Sequence, residues 1–298
     1  MIEILKAIVY GIVEGISEWL PISSTGHLIL LEELMPFEFY SEGRIDVQTG
    51  VMLSPAEWAA AYFSMFEVVI QLGAILAVVV LFWNQIFPFH FGKAAKEKNG
   101  FIDMKIMTLW FKIIVACLPA VLLVVLGLDE YFEEIFYRYE VVALALIVFG
   151  IAFIVIENWN KGRNQKIAEL AQLTYKAAFI IGLFQLLAAI FPGTSRSGAT
   201  IIGALLIGVS RTVAAEFTFF LAIPVMFGAS LLKLLKFGFN FTSLELSVLI
   251  VGMVVAFVIS LLVIKFLMGY IKKHDFKVFG WYRIVLGIVV LVFFGILA

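Results

Sequence analysis

Two carboxylates, Glu14 and Glu18, stand four residues apart, and Ser23, Ser24, Thr25 and His27 follow them closely. On a helix an i, i+4 pair shares one face. Two such acids repel, which favours one protonated form, or they share a divalent cation such as Mg²⁺ or Ca²⁺. Either outcome helps chemistry at phosphate. Ser24 and His27 permit a serine nucleophile activated by histidine, or a histidine that positions or protonates phosphate. A second hydroxyl-rich stretch, Gly193 to Gly198, holds Thr194, Ser195, Arg196 and Ser197. The planar fork of Arg196 can hold two phosphate oxygens. Any one hydroxyl also serves as a helix cap, an even alternative for Ser23, Thr194 and Ser197. Thr200, one turn past Arg196, reads from spacing alone as a packing residue.

The segments that carry these groups repeat. GIVEGISEWLPISSTGH at 11–27 and GLFQLLAAIFPGTSRSG at 182–198 align on a shift of 171, which brings Gly11 onto Gly182, Pro21 onto Pro192 and Ser24 onto Ser195. Each is an apolar helix broken by proline, then a turn of small and hydroxyl residues, then another apolar run. Helix N-termini opened by such turns present free N–H groups and positive partial charge, which suits an anion. The copies divide the chemistry. Gln185 and Ala189 stand where the first copy has Glu14 and Glu18, and Thr25 stands where the second has Arg196.

The chain that must position these groups is 63% hydrophobic and 14% charged over 298 residues, with a mean hydropathy of +1.08. A soluble domain has about 25% charged residues, so the expectation is an all-α polytopic membrane protein. Runs at 64–83, 106–127, 139–157, 214–235, 245–267 and 279–297 are long enough to span. Segments 1–36 and 176–210 are each divided by proline and glycine into halves too short to cross, and read as re-entrant helix hairpins. Residues 1–158 then form one hairpin plus three transmembrane helices, and 176–298 form another. The odd number of crossings makes them two inverted-topology repeats within one membrane domain. The helix after each hairpin also carries an early acid, Glu67 or Glu216. Segment 37–62, with Glu38, Glu42, Arg44 and Asp46, has no counterpart and reads as an inserted surface loop.

Basic residues set the orientation. Lys93, Lys96, Lys98 and Lys105, then Lys161, Arg163, Lys166 and Lys176, then Lys272, Lys273 and Lys277 fall on one side, which is therefore cytoplasmic. Connection 128–138 is acidic. Hairpin 1 then enters from outside and hairpin 2 from inside, with their tips meeting near the midplane; Lys233 and Lys236 vote the other way. Cys117, the one cysteine, offers no disulfide or thiolate metal site. No basic tract points to nucleic acid, and residues 1–30 lack the pattern of a cleavable leader.

A charge at the bilayer centre costs about 2.5–3.5 kcal/mol or more. Glu14, Glu18 and Arg196 at that depth therefore read as functional, against the alternative of a structural ion pair between the halves. Opposed broken helices are also a transporter architecture, so a lipid-phosphate flippase is the rival reading. An anion channel is disfavoured by the paired acids.

EGISEWLPISSTGH and PGTSRSGAT resemble the two signature motifs of the undecaprenyl-diphosphate phosphatase family of the bacitracin-resistance type, and FEVVIQLGAI extends the likeness over nearly the whole chain. The resemblance implies a divalent-metal-dependent hydrolase of the bacterial plasma membrane that regenerates the lipid carrier for envelope glycans, with a site opening outward. Carried over by motif, Glu14, Glu18, Ser24 and His27 are functional in the first segment, and Ser195, Arg196, Ser197 and Thr200 in the second. The expected roles are Glu18, Ser24, His27 and Arg196 in catalysis; Ser23, Thr25, Ser195, Ser197 and Thr200 in substrate binding; and Glu14 with Glu18 on the metal. Expected partners are a polyprenyl diphosphate, membrane lipids and, as an option, a second copy in a homodimer. Segment 37–62 is longer than the family pattern leads one to expect.

Overall fold

The computed structural model describes residues 1–39, 44–45, 49–89 and 101–297. Proline and glycine punctuation cuts the N-terminal apolar stretch into α1 (Ile2–Ser17) and α2 (Ser24–Leu34). A short antiparallel ladder, β1 (Arg44–Ile45) with β2 (Met52–Leu53), follows. The first span is α3 (Pro55–Val69) continued by α4 (Gln71–Leu81). A short α5 (Trp83–Ile86) precedes α6 (Met104–Val125), and α7 (Leu128–Phe136) precedes α8 (Tyr139–Asn160). The second half repeats the plan: α9 (Tyr175–Ile190) and α10 (Arg196–Leu206), then α11 (Arg211–Phe237), α12 (Ser243–Tyr270) and α13 (Lys277–Leu297). The chain is therefore a helical protein with six helices long and apolar enough to cross a membrane among its described residues.

The first span differs from expectation. It begins at Pro55, so the last residues of the supposed loop 37–62 are helical, and Trp58 and Tyr62 are buried there. The cause is a capping box: Ser54 and Glu57 satisfy each other's backbone N–H groups with proline at the first helical position. Upstream, Phe37 and Phe39 pack on Tyr62, and Phe37 also on Tyr10, which seats this segment on α1 and α3. Glu42, Asp46, Lys93, Lys96 and Lys98 lie outside the described residues.

The broken helices have matching dimensions. α1 and α9 each have 16 residues, and α2 and α10 each have 11. At 1.5 Å per residue these are about 24 and 17 Å, short of a hydrocarbon core of about 30 Å. Packing is reciprocal: α1 lies on α12, α9 on α6, α8 on α13, and α11 against α3 and α4. Glycine makes the two hairpin contacts. A Cβ at Gly11 would fall 2.7 Å from Gly252 O, and one at Gly182 would fall 2.2 Å from Ala116 O, so these helices meet backbone to backbone.

The turns are not aligned as the sequence shift proposes. The caps are Ser23 and Ser195, whose hydroxyls accept from Gly26 N–H at 3.4 Å and Gly198 N–H at 3.1 Å. Ser24 therefore corresponds to Arg196, not to Ser195. The second turn contains one residue more between proline and cap, and Gly193 takes it up at φ +88.

Candidate active site

Ser23 and Ser195 are the described non-glycine residues at positive φ, 76° and 68°. Such backbone costs about 1–3 kcal/mol each and persists where the surroundings over-determine it, typically at functional sites. Each strained cap opens a half-helix, α2 or α10, and Glu18 and Arg283 tie the two turns together.

Glu18 is the junction. Its Oε1 accepts from Arg196 Nη2 at 2.9 Å, and its Oε2 accepts from Ser24 Oγ at 3.1 Å. Its backbone carbonyl accepts from Ser197 Oγ at 3.0 Å, and Ser197 and Ser195 hydroxyls lie 3.2 Å apart. Arg196 turns its other terminal nitrogen, Nη1, to Thr218 O at 3.0 Å. Thr200 Oγ1 meets Thr218 Oγ1 at 2.9 Å and lies within bonding range of Arg196 O. The second motif is thus anchored to α11 on one side and handed to Glu18 on the other. Glu18 and Arg196 bury all but 6% and 12% of their side chains. A pair so dry is costly to break by removing one partner.

His27 is not joined to Ser24. Its Nδ1 lies 2.7 Å from Ser23 O, and a carbonyl only accepts, so Nδ1 carries the proton. In the neutral ring Nε2 then accepts from the Tyr282 hydroxyl at 2.7 Å, with the two rings stacked. The polar group on Ser24 is the Glu18 carboxylate. Thr25, half-buried, lies between them on α2.

Glu14 is fully buried, and neither of its carboxylate oxygens has a hydrogen-bond partner. The acidic charges that act on it are Glu18 and Glu67. Among the described residues no three His, Cys, Asp or Glu side chains gather in metal-binding range. Mg²⁺ commonly takes one or two carboxylates and completes its shell with water and substrate phosphate; Glu14 would offer it free oxygens, whereas those of Glu18 already serve Arg196 and Ser24. Orphaned oxygens at Glu14 are what such an ion would engage.

Sequence reasoning missed Arg283. It is completely buried in α13 and donates from Nη1 to Pro21 O at 3.3 Å and from Nη2 to Gly193 O at 2.9 Å and Thr194 O at 2.7 Å. One guanidinium therefore holds both broken turns by their backbone. The signal was available: an arginine inside an apolar run is expensive and needs a reason. Thr218 and Tyr282 were missed for a different cause, since a threonine or tyrosine in a spanning helix carries no such penalty.

Six apolar spans and a buried junction of acids, hydroxyls and a forked cation define a helical multi-pass membrane protein. A model of the bacitracin resistance protein BacA family matches residues 7–289. This chain belongs to that family. It is 60% identical over 295 residues to the undecaprenyl-diphosphatase of Desulfitobacterium hafniense, covering 99% of this chain and 97% of that one. A protein of the same name from Lachnoclostridium phytofermentans is 57% identical over 293 residues, 98% and 97% of the two chains. Another from Enterococcus faecalis is 57% identical over 290 residues, 97% and 96%. These names describe a hydrolase, and the flippase reading gains nothing from them.

Proposed function

We propose that this chain is an undecaprenyl-diphosphate phosphatase, releasing inorganic phosphate and returning undecaprenyl phosphate for envelope glycan synthesis. The observation that carries the reading is the Ser24–Glu18–Arg196 chain across the hairpin junction. It sets a nucleophile, a proton acceptor and an anion clamp within one hydrogen-bonded path, and the names of the relatives agree.

In this reading the polyprenyl tail lies among the spanning helices and the diphosphate sits at the junction. Arg196 and the N–H groups opening α2 and α10 offset its charge. Ser23, Thr25, Ser195, Ser197 and Thr200 line or brace that pocket. Ser24 Oγ attacks the terminal phosphorus while its proton passes to Glu18. The anhydride P–O bond breaks, undecaprenyl phosphate leaves, and water hydrolyses the phosphoserine. Catalysis of this type is mostly positioning and charge stabilisation. His27, held between Ser23 O and Tyr282, fixes the start of α2. A divalent cation, Mg²⁺ or Ca²⁺, on Glu14 and Glu18 would supply further neutralisation of phosphate charge.

The architecture that goes with this is two inverted repeats, 1–158 and 176–298, each a re-entrant hairpin (1–36 or 176–210) and three spans. Equal half-helix lengths and the reciprocal packing support it. The basic connections support a cytoplasmic placement for one face in the bacterial plasma membrane, with the site opening outward. The test is phosphate release from undecaprenyl diphosphate by purified protein in detergent, where no compartment exists to transport across. Vesicle transport without any hydrolysis would overturn the assignment. Trapping labelled phosphate on the protein tests the covalent step. If no adduct forms and Ser24→Ala stays active, water activated by Glu18 or His27 replaces the serine.

A further inference from the structure

Buried polar atoms without a partner are rare because each forfeits its hydration. Among the described residues, every side-chain atom in that state except Glu140 Oε2 belongs to one of the two hairpins or to Arg283. Within that set, Glu14 and Gln185 alone have both terminal atoms unpartnered. Glu14 is 0% exposed and Gln185 is 3% exposed, so neither is relieved by solvent.

The two occupy matching places. Gly11 and Gly182 are the points where α1 and α9 touch the backbones of α12 and α6. Glu14 and Gln185 each follow that glycine by three residues, on the same face of the helix. α9 also packs along α10, the helix that Arg196 opens, and Phe184, the neighbour of Gln185, meets Gly203 there.

An amide offers two N–H donors and carries no charge that would repel an anion. We propose that Gln185 is a further substrate-contacting residue, its side-chain N–H donating to a phosphoryl oxygen of the bound diphosphate across from Glu14. The inference rests on the phosphatase reading above. A carboxylate at position 185 would instead add negative charge to a pocket that already holds Glu14 and Glu18.

The experiment compares full-length wild type, Gln185→Leu and Gln185→Glu in detergent. It measures phosphate release from undecaprenyl diphosphate, inhibition by inorganic pyrophosphate, and Tm. Leucine removes two unsatisfied buried atoms at similar volume, so Tm holds or rises. At the same time kcat/KM falls about 10- to 100-fold, and pyrophosphate inhibits more weakly by a similar factor. Gln185→Glu, the same size as glutamine, loses more. A structural role would not separate activity from Tm in this way. Wild-type kcat/KM in either variant, or activity lost only in step with Tm, overturns the contact and leaves the phosphatase reading intact. An inactive wild type overturns both.

Discussion

Replacing Arg196 by lysine keeps a positive charge at the hairpin junction and removes the fork. The guanidinium divides its donors, Nη2 to Glu18 Oε1 at 2.9 Å and Nη1 to Thr218 O at 3.0 Å. Its Nε is uncommitted among the described residues and, in the proposed reaction, is the donor left for phosphate. A lysine ammonium is one nitrogen on an unbranched stem. It cannot stay in range of acceptors that two separate nitrogens now hold and still present an edge to the ligand. At least one charge-assisted hydrogen bond is lost, worth about 1.5–3 kcal/mol. At about 1.4 kcal/mol per decade, kcat/KM falls roughly 10- to 150-fold. The assay is phosphate release in detergent, with Tm recorded on the same samples so that loss of fold is not mistaken for loss of chemistry. If Arg196→Lys turns over indistinguishably from wild type at an unchanged Tm, the fork does not hold the phosphate and the reasoning is wrong.

Glu14→Gln exchanges a buried, unpartnered carboxyl for an amide of the same size, so Tm is expected to hold or rise, while the Mg²⁺ or Ca²⁺ concentration needed for half-maximal activity increases about tenfold or more. An unchanged metal titration would take Glu14 out of the metal site. Arg283→Met strips the donor from Pro21 O, Gly193 O and Thr194 O. At about 1 kcal/mol each the loss is about 3 kcal/mol, reduced by relief of the buried charge, and Tm and activity fall together; an unchanged Tm would sink the clamp. Gly182→Ala sets a methyl 2.2 Å from Ala116 O, and the overpacking costs about 1–3 kcal/mol, to be read as a lowered Tm.

Much of this arrangement was legible in the residues, and the parts that were not have physical reasons. Pro21 and Pro192 announce the broken helices because a ring nitrogen cannot donate and clashes with the preceding turn. Apolar length announces six spans. The start of the first span was hidden, since Trp58 and Tyr62 sit among polar and small neighbours and only the Ser54–Glu57 box marks the boundary. The shift of 171 aligns the prolines correctly and the caps incorrectly, because two residues lie between Pro192 and Ser195 and one between Pro21 and Ser23. The Glu18–Arg196 pairing answers to what intramembrane charge gave only as the alternative, an ion pair between the halves. The bond from Ser24 to Glu18 was not expected, because spacing along α2 favours His27 and says nothing of a side chain reaching back across the break. Arg283 needed the tertiary fold, since its partners are carbonyls more than eighty residues away.

The packing of α1 on α12 and of α9 on α6 dictates an order of events during synthesis. The seat of α1 is α12, which spans Ser243–Tyr270. The first segment to leave the ribosome therefore finds its place only after nearly the whole chain has been inserted. Until then α1, and Glu14 with it, lacks the wall that α12 forms. Assembly of this kind is governed by contacts distant in sequence, which are slow to form. A truncation after Phe241 keeps Glu18, Ser24, His27 and Arg196 but removes α12 and α13, and should therefore leave α1 with nowhere to dock.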